Sequence, residues 1–166
     1  MNREDVILVD TCVIIEAQRT GTWVALHKGL RLETVETCLI EAQTGRAHRL
    51  NPMILDAELR QCFQAVYDIS DIERAEHFAN VDGDLPDLDP GELDLWIHAL
   101  QRNDVWFLCG PDRASMNFGS KVGHRDRLVS FEQALNLVGA KTNGLKNHYR
   151  AGWLADVKTQ LALGQL

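Results

Sequence analysis

Val6-Ile7-Leu8-Val9-Asp10-Thr11 is an apolar, β-branched run that ends abruptly in a carboxylate and a hydroxyl. A run this short, without polar alternation, reads as a strand buried on both faces. Asp10 then stands at the strand's C-terminal tip, which is where open parallel sheets place their ligands. An unpaired carboxylate taken out of water costs several kcal/mol or takes up a proton. Asp10 therefore needs a partner, and a metal ion suits it.

Working outward, the chain alternates between strand and helix signals. Strands are expected over 5–10, 31–36, 105–109 and 128–129, with helices over 12–19, 38–44, 52–67, 71–80, 91–103, 131–138 and 145–163. A short helix carries Trp23, Leu26 and Leu30, and another runs from Asp112 to about residue 118. The helix starts carry their own chemistry. Asn51-Pro52 and Asp89-Pro90 pair an N-cap with proline at the first helical position. Ser70 and Glu73 have capping-box spacing. Gly45 and Gly139 close helices. Strands alternating with helices predict a three-layer α/β/α sandwich around a mostly parallel sheet. Residues 1–140 form the main domain, and 141–166 a C-terminal helical extension packed on it.

The composition fits one domain of 166 residues with 45% hydrophobic and 25% charged residues. No apolar stretch reaches membrane-spanning length and no signal-peptide core follows Met1, so a cytoplasmic protein with no membrane partner is expected. Cys12, Cys38, Cys62 and Cys109 lack metal-ligand spacing and read as buried free thiols. The net charge of −7 is unevenly spread: residues 1–101 carry 8 Lys/Arg against 19 Asp/Glu, and residues 102–166 carry 9 against 5. An acidic half beside a mildly basic one suits a metal-dependent enzyme acting on a polyanion.

Four carboxylates are candidates for one site. Asp10 and Asp112 follow buried strands, while Glu41 and Asp94 sit one turn into helices among apolar neighbours. Together they make an oxygen-only donor set, the kind that Mg²⁺ or Mn²⁺ prefers. Glu92 is the substitute for Asp94. The two lie about 200° apart around a helix and cannot both face one ion, and Glu92 also has capping-box spacing from Asp89. The acidic stretch 81–90 has the wrong ligand order for a calcium loop and reads as solvated. Glu16 and Glu36 read as surface residues, and His98 as a helix-packing histidine. Arg113, beside Asp112, is the candidate for a substrate-phosphate contact.

The segments VILVDTCVIIEA (6–17), VETCLIEAQTG (35–45), LDPGELDLWIHAL (88–100) and VWFLCGPDRAS (105–115) resemble, in order, the four motifs of the PIN-domain nuclease family. The resemblance spans roughly residues 5–130. It implies Asp10, Glu41, Asp94 and Asp112 as catalytic, metal-binding carboxylates, with Thr11 orienting Asp10. It further implies a metal-dependent endoribonuclease that hydrolyses RNA phosphodiester bonds, with VapC-type toxins held by a small antitoxin and homodimerisation as family traits. Two departures stand out. Gly110 occupies a position that in the family carries a hydroxyl, and the family's middle strand has no clear signal between 68 and 88.

Two other readings compete. One is a non-catalytic PIN-like module that binds RNA or protein. The other is an aspartyl phosphatase of the haloacid-dehalogenase kind, which needs a second Asp where this chain has Cys12.

Overall fold

The computed structural model describes residues 1–44, 56–80 and 88–165. The expected helix start at Asn51-Pro52, the closing Gly45 and most of the acidic loop lie outside the described residues. Five strands, β1 (Val6–Val9), β2 (Arg31–Val35), β3 (Ala65–Tyr67), β4 (Trp106–Cys109) and β5 (Leu128–Val129), form one sheet in the order β3-β2-β1-β4-β5. Every pairing is parallel. The sheet is flanked by helices, as in a three-layer sandwich.

β1 shows why both faces must be covered. Ile7 and Val9 enter one hydrophobic cluster with Val13, Ile14, Leu26 and Phe131. Val6 and Leu8 enter the other, with Leu95, Trp96, Trp106 and Leu154. Adjacent strand residues point to opposite faces, so a strand that is apolar throughout requires a layer on each side. The first cluster draws on α1 (Thr11–Arg19), α2 (Trp23–Gly29) and α8 (Phe131–Leu137). The second draws on α6 (Pro90–Leu100), α7 (Arg113–Lys121) and α9 (Ala151–Ala162). The remaining helices are α3 (Glu36–Thr44), α4 (Asp56–Arg60) and α5 (Asp71–Asn80).

Three expectations are corrected. The helix expected to reach residue 67 ends at Arg60, and Ala65–Tyr67 pairs with β2 as an edge strand that no sequence signal marked. The helix expected over 145–163 is divided into a 3₁₀ turn, Asn147–Tyr149, and α9, with Arg150 extended between them. Glu16 is buried rather than on the surface, held by Arg19 at 2.6 Å and by the Lys146 N–H at 3.3 Å.

The C-terminal segment docks on the first turn of α1, where the Tyr149 hydroxyl donates to the Cys12 carbonyl at 3.0 Å. All four cysteines are free, but Cys12 is exposed and Cys62 half-buried, against the expectation that all are buried. Among the described residues no helix is long and apolar enough to cross a membrane.

The strand order defines the functional edge. From β1 the chain runs outward through β2 and β3, then returns across β1 to β4 and β5. The topological switch therefore lies between β1 and β4, and their C-terminal ends open the crevice in which such sheets bind ligands.

Candidate active site

Asp10 and Asp112 sit beyond the two strands that flank this switch. Val9 pairs with Cys109, and the Asp10 N–H continues the ladder to the Cys109 carbonyl at 3.1 Å. Each aspartate is also the N-cap of the helix that follows its strand. Asp10 accepts from the Cys12 N–H at 3.2 Å, and Asp112 from the Ala114 and Ser115 N–H groups at 2.6 and 3.0 Å. Helix starts favour anions, so both carboxylates are held at the positive ends of helices.

Gly110 has a role of its own here. A Cβ at this position would lie 3.2 Å from the Asp10 Cβ, so the glycine lets β4 pass close beside Asp10. Asp112 takes its support from the two backbone donors instead of from a neighbouring hydroxyl.

α6 and α3 bring the other candidates, and the structure separates them. The Glu92 carboxyl is buried and lies under the influence of Asp112 and Asp10, while one of its oxygens accepts the Asp89 N–H at 3.3 Å. The capping contact and the site position coexist, because one oxygen serves the cap. Asp94 faces elsewhere. Arg74 of α5 holds it with two hydrogen bonds of 2.7 Å each, and the Thr37 hydroxyl donates to it as well. Asp94, preferred in the sequence reading, thus ties α3, α5 and α6 together, and the substitute Glu92 joins Asp10 and Asp112. The angular separation of 92 and 94 around the helix forces this division.

Glu41 braces the group from behind. Its Oε1 accepts the Gly91 N–H at 3.0 Å, and its Oε2 accepts the Thr11 hydroxyl at 2.9 Å. Thr11 therefore orients Glu41 instead of Asp10, with the Cys38 carbonyl at 3.2 Å a second, longer acceptor for the same hydroxyl proton. Gly91 permits the approach, since a Cβ there would stand 2.6 Å from Glu41 Oε2.

The electrostatics set Asp10 and Glu92 apart. Burial pushes Asp10 from its ordinary 3.8 up to about 6, with Glu41 adding to the shift. Burial, then Asp112, then Asp10 push Glu92 from 4.5 up to about 8. The Cys12 thiol is pushed up by partial desolvation and then by Asp10, with Glu92 and Asp112 also contributing, which puts it at the rim of the same group. Oxygen donors that raise one another's proton affinity fit a hard divalent cation in chemical kind. As the side chains stand, no three His, Cys, Asp or Glu groups among the described residues converge closely enough to hold one ion.

The remaining candidates have other roles. His98 stacks on Tyr67 with ring centroids 3.8 Å apart and lies 3.7 Å from Glu33, whose carboxylate Arg102 also binds. Glu36 pairs with Arg60. Arg113 is exposed and forms no ion pair among the described residues; its guanidinium lies over the Trp153 ring, 5.8 Å from the centroid. Compared with protein-family models, curated protein sequences and solved structures, the chain has no match.

Proposed function

We propose that this chain is a divalent-cation-dependent endoribonuclease whose site is built on Asp10, Glu92 and Asp112. The observation that carries the reading is the pair of buried carboxyls at the switch crevice, Asp10 raised to about 6 and Glu92 to about 8, without a neutralising side chain among the described residues. Asp10, Glu92 and Asp112 would hold Mg²⁺ or Mn²⁺, with Glu41 bracing them. A cation bound there supplies acidification of a water and charge neutralisation at the scissile phosphate. The protein's own part is to fix the oxygens: helix starts anchor Asp10 and Asp112, and the Asp89 N–H anchors Glu92. Arg113 is the cationic group nearest in sequence to Asp112 and would orient a substrate phosphate. The resemblance to PIN-domain nucleases supports the same chemistry. It adds, as part of the proposal, a cytoplasmic toxin of the VapC type with a small protein antitoxin and a homodimeric state.

The test is RNA cleavage with Mg²⁺ or Mn²⁺. Asp10→Asn and Glu92→Gln are each expected to lower kcat at least about a hundredfold, as loss of a charge-stabilising group does. Equal activity of wild type and Asp10→Asn in the presence of metal sinks the enzymatic reading. A second reading, a non-catalytic RNA- or protein-binding module, is favoured by the separation of the acidic side chains, no three of which stand close enough to hold an ion among the described residues. Calorimetry without heat of Mg²⁺ or Mn²⁺ binding would select it.

A further inference from the structure

The C-terminal segment lies outside the four motif segments, yet it is docked against the carboxylate edge from two sides. On one side Tyr149 bonds the Cys12 carbonyl, two residues from Asp10. On the other, Arg113, the residue after Asp112, lays its guanidinium over Trp153 at 5.8 Å. His148 spans the interval, its ring 4.4 Å from that of Tyr149 and edge-on to Trp153 at 6.3 Å. Trp153 is only half-buried, and Arg113 and Lys146 are exposed. A half-exposed indole, a guanidinium with no ion pair among the described residues and an imidazole thus lie beside the carboxylate edge, in the half of the chain that carries the positive balance.

We infer that Trp153, Arg113 and His148 form a nucleobase subsite beside the carboxylates, where an unpaired base stacks on the indole–guanidinium pair and Arg113 meets the adjoining phosphate. Aromatic rings and arginine planes are the surfaces on which single-stranded bases stack, and stacking of this kind tolerates any base. A duplex keeps its bases inside and offers no face to Trp153. The subsite therefore selects single-stranded over paired RNA, and it sets which nucleotide lies next to the scissile phosphate. The inference rests on the nuclease reading for the identity of its ligand.

The test uses the full chain, a fluorescein-labelled single-stranded oligouridylate of about a dozen nucleotides, and the Asp10→Asn background to block cleavage during binding. Trp153→Leu and Arg113→Gln are expected to weaken binding roughly tenfold each; in the cleaving protein Trp153→Leu should raise KM by a similar factor with kcat little changed, whereas Arg113→Gln, which also removes the group proposed to orient the phosphate, should lower kcat as well. Trp153→Phe, which keeps a stacking ring, is expected to bind within about threefold of the parent. It should also lose most of the RNA-induced quenching of tryptophan fluorescence. Arg113→Gln changes an exposed side chain, and Trp153→Phe keeps most of the packing, so the two decide the matter even where Trp153→Leu does not fold.

Affinity unchanged in Arg113→Gln and in folded Trp153→Leu, with quenching unchanged in Trp153→Phe and metal-dependent cleavage by the parent intact, would overturn the subsite and leave the nuclease reading standing. Trp153-dependent binding without metal-dependent cleavage would support the subsite while removing the nuclease. No binding of single-stranded RNA at all would overturn the subsite.

Discussion

Glu92→Gln should change how stability depends on pH, and the sign follows from the carboxyl's surroundings. In the unfolded chain Glu92 releases its proton near its ordinary 4.5, whereas in the fold it holds the proton to about 8. Between these values the folded state binds more protons than the unfolded one, so stability falls as pH rises through the window. The penalty is small below pH 4.5 and complete above about 8. Linkage at 1.36 kcal/mol per pH unit makes the Glu92 contribution about 1 kcal/mol at pH 5 and about 4–5 kcal/mol at pH 8.5.

Glutamine keeps the shape and the capping contact but has no charge to develop. Wild type should therefore lose roughly 4 kcal/mol relative to Glu92→Gln between pH 5 and 8.5. For a chain of this size that is a relative Tm change on the order of 10 °C. Thermal and urea unfolding of both proteins across this range, without divalent cation, reads the difference directly. Parallel stability profiles for the two proteins would refute the reasoning, because they would mean Glu92 is neither buried nor crowded by Asp10 and Asp112. Mn²⁺ at pH 8.5 should then stabilise wild type more than Glu92→Gln, since a bound cation removes the repulsion that glutamine removes chemically.

The other expectations concern the supporting residues. Asp94→Ala leaves Arg74 and Thr37 without their shared acceptor and should cost about 2–3 kcal/mol in urea unfolding, the partly exposed Arg74 recovering some hydration. Its kcat on RNA at a temperature where it is folded should stay within a few-fold of wild type, unlike that of Glu92→Gln. Gly110→Ala introduces a Cβ 3.2 Å from that of Asp10. It should cost about 1 kcal/mol and depress cleavage more than stability, measured as kcat against Tm. Tyr149→Phe removes the bond to the Cys12 carbonyl. About 1 kcal/mol of stability should go with it, seen as a lower urea midpoint.

Much of the fold could be read from local pattern. β1, β4 and β5 are short, mostly apolar runs, and the capping signals at Ser70 and Asp89 each stand directly before a helix. β3 escaped because three residues, Ala65–Tyr67, are too few to display a period and closely follow a short helix. The choice between Glu92 and Asp94 was not legible for a different reason. Their apolar flanks are alike, and the discriminating fact is Arg74, twenty residues away on α5, whose approach depends on how α5 packs on α6. Thr11 is a similar case, since its hydroxyl meets Glu41 only when α1 and α3 are side by side. Local signals specify elements, whereas the partner of a buried charge is a tertiary fact.

The acids of the candidate site fall into two kinds once their partners are known. Asp94 has Arg74 and Thr37, and Glu41 has Thr11 and the Gly91 N–H; both carboxylates are satisfied within the protein and hold helices together. Asp10 and Glu92 have a backbone donor each, and burial pushes both carboxyls up, with Glu41 adding to the shift at Asp10, and Asp112 and Asp10 adding to it at Glu92. The first kind lowers the energy of the fold, and the second raises it at neutral pH. A destabilised pair of carboxyls is tolerated where function uses it, and perturbed groups in a cleft mark such places. Here the pair lies at the switch crevice, beside Asp112 and at the topological opening between β1 and β4. That asymmetry, more than the number of acidic residues, is the reason to look for a cation and a phosphate at this edge.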